Sequence, residues 1–172
     1  MFLHESAEAL IAHYSMKPHP EGGFYAEVFR SSLEIGKCGL PEEFSGCRSA
    51  LTSIYFLLKG GQVSRLHRLK SDEIWFWLGG SMLSVHELRS SGRVVSTKLG
   101  PDFLKGQALQ HVVARGTWFG AEPSAEPSAE LFYALVGCVV APGFDFADFE
   151  LAVQDSLLAQ FPSATELIVR LT

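Results

Sequence analysis

The chain has 172 residues, 47% of them apolar, and a formal net charge of −5. That length suits one domain able to bury about 70% of its unfolded surface, and the apolar content excludes a disordered chain. No stretch gathers Lys and Arg, which argues against a nucleic-acid partner, and no apolar run approaches the ~18 residues of a membrane-spanning helix.

Cys38, Cys47 and Cys138 are odd in number and lack metal-finger spacing, so free thiols in a reducing compartment are expected. Residues 1–16 lack the basic start and apolar core of a leader, which places the expected location in the cytoplasm.

Residues 4–16 (HESAEALIAHYSM) set Ala7, Leu10, Ile11 and Tyr14 at helical spacing, with Ser6 as the cap. KPHPEGG (17–23) breaks that helix with two prolines and two glycines. From Phe24 the pattern is of strands. FYAEVFRS, SALTSIYFLL, QVSRLHRL, EIWFWLGG, MLSVHEL, RVVSTKL, ALQHVV and LFYALVGCVV are short runs rich in β-branched and aromatic residues, separated by Gly, Ser, Asp or Pro. Such runs without alternating helices predict an all-β barrel or sandwich. The tandem EPSAEPSAE (122–130) reads as a mobile surface loop. DSLLAQF and ATELIVRL return to amphipathic helix, opened by Asp155 and Ser163 as caps. The predicted organisation is one domain over 1–172, with a barrel at about 22–152 and flanking helices at about 4–16 and 155–170.

Residues 61–80 read GQVSRLHRLKSDEIWFWLGG. The spacing of Gly61, His67, Glu73 and Gly80 resembles the first cupin motif, G-x5-H-x-H-x3-4-E-x6-G, with Leu69 in place of the second histidine. GQALQHVVARGTWFG (106–120) resembles the second motif, G-x5-P-x-G-x2-H, more weakly. Gly116 is kept, while Ala108, Ala114 and Phe119 stand for glycine, proline and histidine. HPEGGFYAEVFRS (19–31), SIYFLL (53–58), HRLKSDEIWFWLGG (67–80), ARGTWFGA (114–121) and LVGCVVAPGFDFADFELA (135–152) together look like the cupin family of unknown function called cupin-5. The resemblance spans about residues 5–170. It implies a double-stranded β-helix jelly roll, commonly paired as a homodimer, and no particular reaction.

Strand alternation puts Val63, Arg65, His67 and Leu69 on one face, and Glu73, Trp75 and Trp77 on one face of the next strand. A short turn over Lys70 to Asp72 would make this a hairpin and bring Glu73 to His67 inside one cavity. Metal-dependent cupins use two or three histidines and a glutamate. Leu69 and Phe119 cannot ligate, so His67 and Glu73 supply two ligands where protein sites usually need three or more. Gln110 and Cys138 are the candidates to extend that set. The expectation is a site that requires no cofactor, with a divalent metal as the lesser alternative. A plainer alternative is a His–Glu hydrogen bond that only satisfies two buried groups.

An imidazole beside a carboxylate in an aromatic cavity can hold a proton near neutral pH. The dTDP-4-dehydrorhamnose 3,5-epimerase branch of the cupins also keeps only the first motif histidine, a base oriented there by an aspartate in a later D-P-x-L-type segment. Arg65-Leu66-His67 and Asp148-Phe149-Glu150-Leu151 resemble those regions. The resemblance implies His67 as base with Asp148 behind it, and Asp145 as a rival. Where the chain enters the first strand, Gly22 and Gly23 permit close backbone approach. Glu21, Tyr25 and Arg30 beside them are candidates to contact a polar ligand, or else form a solvated charge ladder. Arg65 and Gln110 are further polar candidates. Tyr55, Trp75, Trp77, Trp118 and Phe119 each suit the core, and together suit a flat ligand such as a sugar, a nucleotide base or an aromatic acid. The expected function is a small-molecule cavity, in a metal-free epimerase or isomerase using His67. The alternatives are a non-catalytic binding protein and a metal-dependent cupin with a reduced ligand set.

Overall fold

The computed structural model describes residues 5–124 and 133–172. Helix α1 (Ala7–His13) leads into β1 (Lys17–Pro18), β2 (Phe24–Arg30), β3 (Glu34–Ile35), β4 (Arg48–Ser49), β5 (Thr52–Lys59), β6 (Ser64–Leu69) and β7 (Asp72–Gly80). Then come β8 (Leu83–Leu88), β9 (Val94–Leu99), β10 (Gln110–Val113), β11 (Trp118–Pro123), β12 (Tyr133–Ala141), β13 (Phe149–Leu151), α2 (Gln154–Gln160) and α3 (Thr165–Arg170). One antiparallel sheet runs β1-β2-β5-β12-β7-β10, the other β13-β6-β11-β8-β9, and β3 pairs with β4. From β5 to β8, and again from β10 to β13, successive strands alternate between the two sheets. That winding is the double-stranded β-helix, so the fold is all-β as the sequence implies.

The expected β6–β7 hairpin does not form. The two strands lie in opposite sheets, because the short Lys70–Ser71 link turns the chain from one sheet to the other. His67 and Glu73 therefore face each other from different walls rather than lying side by side.

The sheets enclose a core that includes Phe56, Leu58, Trp75, Val85, Val113, Phe119 and Val136. Two apolar patches on the outer faces are covered by helix. Ala7 and Leu10 of α1 pack on Leu57, Tyr133 and Leu135. Leu157, Phe161, Ile168 and Leu171 pack on Leu66, Leu88 and Trp118 behind the second sheet. Each such large side chain contributes about 1.5–3 kcal/mol when fully buried. Ser6 caps α1 by accepting from the Ala9 amide (3.1 Å), and the helix stops where Ser15 turns to φ 50°. The other two expected caps do not form. Asp155 lies inside the first turn of α2 without a capping bond, and Ser163 Oγ donates to the Gly92 carbonyl (2.9 Å) instead. Of the segment 122–130 expected as a loop, Glu122 and Pro123 belong to β11, and 125–130 lie outside the described residues. Among the described residues, no helix is long and apolar enough to cross a membrane.

The strands are not regular. Register shifts occur where β6 meets β11, where β2 meets β5 and where β7 meets β12. Each inserts one unpaired residue and reverses the inward–outward alternation beyond it.

Candidate functional site

Gly22 and Gly23 adopt φ +115° and +66°. A Cβ on Gly22 would come within 2.2 Å of the Val63 carbonyl oxygen, and one on Gly23 within 2.6 Å of the Leu57 oxygen. Only glycine lets the chain before β2 lie this close to β5 and β6. The result is that Glu21 is folded inward, with its side chain 7% exposed.

Three groups converge on its carboxylate. Ser64 Oγ donates to Oε1 at 2.7 Å. His67 Nε2 and His19 Nδ1 each lie 3.3 Å from Oε2. His67 Nδ1 sits 2.7 Å from the Arg65 carbonyl and must carry a proton to donate to it, so Nε2 is the atom that titrates. Burial draws His67 below its ordinary pKa, and the Glu21 charge offsets part of that. Burial opposes the Glu21 charge, yet His67, His19 and Ser64 hold the carboxyl below its ordinary value. The acid beside His67 is therefore Glu21.

The β6 bulge makes this convergence possible. Ser64 and His67 are three apart, an odd spacing that regular alternation would send to opposite faces. The register shifts between them, since His67 pairs with Phe119 and Ser64 with Ala121. Arg65 is displaced in consequence: its guanidinium donates to the Pro20 carbonyl and does not line the cavity. The β2 bulge likewise lets both Glu27 and Arg30 line the cavity. Arg30 donates to both Glu27 oxygens (3.1 and 2.7 Å) and to the Phe144 carbonyl (3.1 Å).

On the opposite wall, β7 and β12 present Glu73, Trp75 and Cys138. Burial, reinforced by the negative charge of Glu21, pushes Glu73 up to about 8. Glu73 is thus a neutral acid at pH 7 facing a carboxylate kept ionised. The cavity between these walls measures about 270 Å³ and is ringed by Tyr25, Phe56, Trp75, Phe144, Phe146 and Phe149. The His67 ring lies 4.1 Å from that of Phe119 and 5.3 Å from that of Phe149, centroid to centroid. This volume suits a ligand of about one six-membered ring, below the usual ~300 Å³ or more of drug-sized sites.

The structure brings Glu21, Tyr25, Arg30, His67, Glu73 and Trp75 to one cavity and leaves others out. Phe119 lies beneath the His67 ring. Tyr55 packs on the far side of its sheet against Tyr14, centroids 4.7 Å apart. Trp77 donates to the Ser81 carbonyl (3.1 Å) away from the cavity, and Gln110 is exposed on the edge strand β10. Asp148 is not the partner of His67. It is buried in a two-pronged pair with Arg48 (2.6 and 2.7 Å), with Lys70 Nζ 3.4 Å away. Its charge is consumed there. Asp145 reaches the cavity lining, while also accepting from the Ala147 amide (2.8 Å). Sequence reasoning missed His19, Ser64, Phe144, Phe146 and Phe149. His19 lies two residues before Glu21, but between two prolines no local pattern sets it apart from the turn.

The residues do not fit the metal centre of metal-dependent cupins. Leu69 and Phe119 occupy the second and third histidine positions and offer no lone pair. His67 Nε2 is directed at Glu21.

A double-stranded β-helix with a histidine–carboxylate cavity inside defines a cupin-type barrel. Residues 8–152 match the family described as Cupin superfamily (DUF985), and the chain belongs to it. An uncharacterised protein of Saccharomyces cerevisiae is 30% identical over 83% of this chain and 73% of its own. A hypothetical protein from Leishmania major is 34% identical, with a TM-score of 0.89 over 98% of this chain and 99% of that one. A protein from Shewanella oneidensis is also 34% identical, with a TM-score of 0.83 over 98% of both chains. Oxalate decarboxylase from Bacillus subtilis shares the fold alone, at 18% identity and a TM-score of 0.52 over 90% of this chain and 36% of its own.

Proposed function

We propose that this cupin binds a small polar molecule and moves a proton on it, as an epimerase or isomerase that works without a metal. The Glu21–His67 pair is the base and Glu73 the acid. One observation carries the reading: two buried carboxyl groups line one cavity, Glu21 paired with His67 and Ser64, which lower its pKa, and Glu73 with Oε2 unpartnered among the described residues, its pKa raised by burial to about 8. Environments that push titratable groups apart in this way assign acid and base roles. His67 Nε2 takes the proton, Glu21 stabilises the imidazolium that forms, and Glu73 returns a proton from the other side. The aromatic ring of residues excludes water and strengthens each interaction.

The test is hydrogen exchange followed by NMR. Small sugars and 2-oxo acids are incubated with the protein in deuterated buffer containing a chelator. At least one should gain deuterium at carbon, and His67→Gln should slow that gain by about 10²-fold or more, the usual contribution of a general base. Exchange that persists unchanged in His67→Gln sinks the proposal. Binding without any exchange would instead favour a pure binding protein.

A further inference from the structure

The β7 wall has more hydrogen-bonding capacity than the protein uses. Glu73 Oε2 and Trp75 Nε1 are buried, and neither has a hydrogen-bond partner among the described residues. Groups at 6% and 1% exposure are normally satisfied. They lie two residues apart on one strand, so they share its inner face, and both line the cavity. The indole stands close enough to favour the charged form of the Glu73 carboxyl, without the geometry of a hydrogen bond. An indole N–H can only donate, and a neutral carboxyl can donate too. One ligand atom that satisfies both is an acceptor oxygen.

We propose that Glu73 and Trp75 form an oxyanion-binding pair for the carbonyl oxygen of the substrate, which is therefore a small carbonyl compound reacting through its enolate. This rests on reading the cavity as a proton-transfer site. The permanent negative charge of Glu21 across the cavity disfavours a ligand that is itself an anion at this position. A carbonyl, which becomes negative only during reaction, avoids that conflict. The Glu21–His67 pair removes the proton from the carbon next to the carbonyl. The C–H electron pair becomes the C=C bond, and the C=O π pair moves onto oxygen, where Trp75 N–H and Glu73 O–H receive it. Return of that proton from His67 to the same carbon, or delivery of the Glu73 proton to its opposite face as the oxyanion collapses, restores the carbonyl. Atoms and electrons balance without an oxidant or a cofactor.

The probe is 4-nitrophenol, one ring in size, whose absorbance reports its ionisation. On giving its proton to the Glu21–His67 pair it mimics the enolate. At about pH 6 the wild type should bind it as the phenolate. Trp75→Phe and Glu73→Leu should each weaken binding about tenfold or more, as removal of a preorganised donor does. Glu73→Gln, which keeps a donor, should retain affinity within about threefold, separating donation from packing. Absence of binding, binding as the neutral phenol, or equal affinity in Trp75→Phe and Glu73→Leu overturns the pair. The measurement involves no turnover, so its failure is distinct from failure of the exchange test. Exchange lost in His67→Gln, with phenolate binding indifferent to Trp75, would keep the proton transfer and remove the oxyanion site.

Discussion

Replacing Glu73 with Gln should make the protein's stability less dependent on pH, in a direction opposite to the usual carboxylate. A salt-bridged acid has a lowered pKa and stabilises the fold as pH rises. Glu73 stands at about 8 in the folded protein against an ordinary 4.5. Between those values the folded state binds more protons than the unfolded one, so unfolding free energy falls as pH rises. The penalty is absent below the unfolded value and complete above the folded one. Each pH unit of separation is worth about 1.4 kcal/mol, which sets a ceiling of about 5 kcal/mol. About 4 kcal/mol of that falls between about pH 5 and pH 9. The side chain is buried, so bulk solvent does little to screen the effect. Glutamine keeps the size and removes the titration. Urea unfolding of both proteins across that range gives two curves, and their difference cancels all other titrating groups. The wild type should lose up to about 4 kcal/mol relative to Glu73→Gln on going from about pH 5 to pH 9. Parallel curves would mean that Glu73 titrates normally, and the neutral acid on which the catalytic reading depends would be gone.

Two further outcomes are expected. Asp148→Asn should cost about 3–5 kcal/mol in urea unfolding, because it leaves the buried Arg48 guanidinium without its counter-charge. Exchange per folded molecule should stay unchanged, whereas lost exchange at unchanged stability would return Asp148 to the catalytic site. Val28, Leu78 and Val112, on strands of the six-stranded sheet, remain 51%, 40% and 50% exposed. A symmetric homodimer covering that sheet is expected, with light scattering giving twice the mass of one chain; a monomer at micromolar concentration would count against it.

The strands of the barrel were legible because turn residues bound each of them, and the winding followed from the motif resemblance, but the corner between His67 and Glu73 was misread as a hairpin. Identities at the site were also legible where a motif carried them: His67, Glu73, and Glu21 beside its paired glycines. Partnerships were not. Glu21 meets Ser64 across 43 positions and Asp148 meets Arg48 across 100, separations that no local pattern reports. The side on which a residue falls was misread wherever a bulge intervened. Arg65 shares parity with His67 along the chain yet leaves the cavity, whereas Ser64 does not share it and still turns inward to Glu21. Tyr55 failed for another reason: its sheet is apolar on both faces, one facing the core and the other facing α1, so composition could not tell the cavity side from the helix side.

The bulges make the cavity wall sensitive to pairing register as well as to identity. At each one a single residue decides which neighbours look inward. Flattening the β6 bulge at its present length would turn Ser64 away from Glu21 while His67 kept its place, because the two residues are three apart. Flattening the β2 bulge at Val28 would separate Glu27 from Arg30 in the same way, whereas deleting the extra residue would leave each pair two apart and on one face. Changes that move or flatten a bulge therefore act as specificity mutations, re-aiming one wall residue without changing its identity. A lineage could change what this barrel accepts by that route without replacing any residue that touches the ligand.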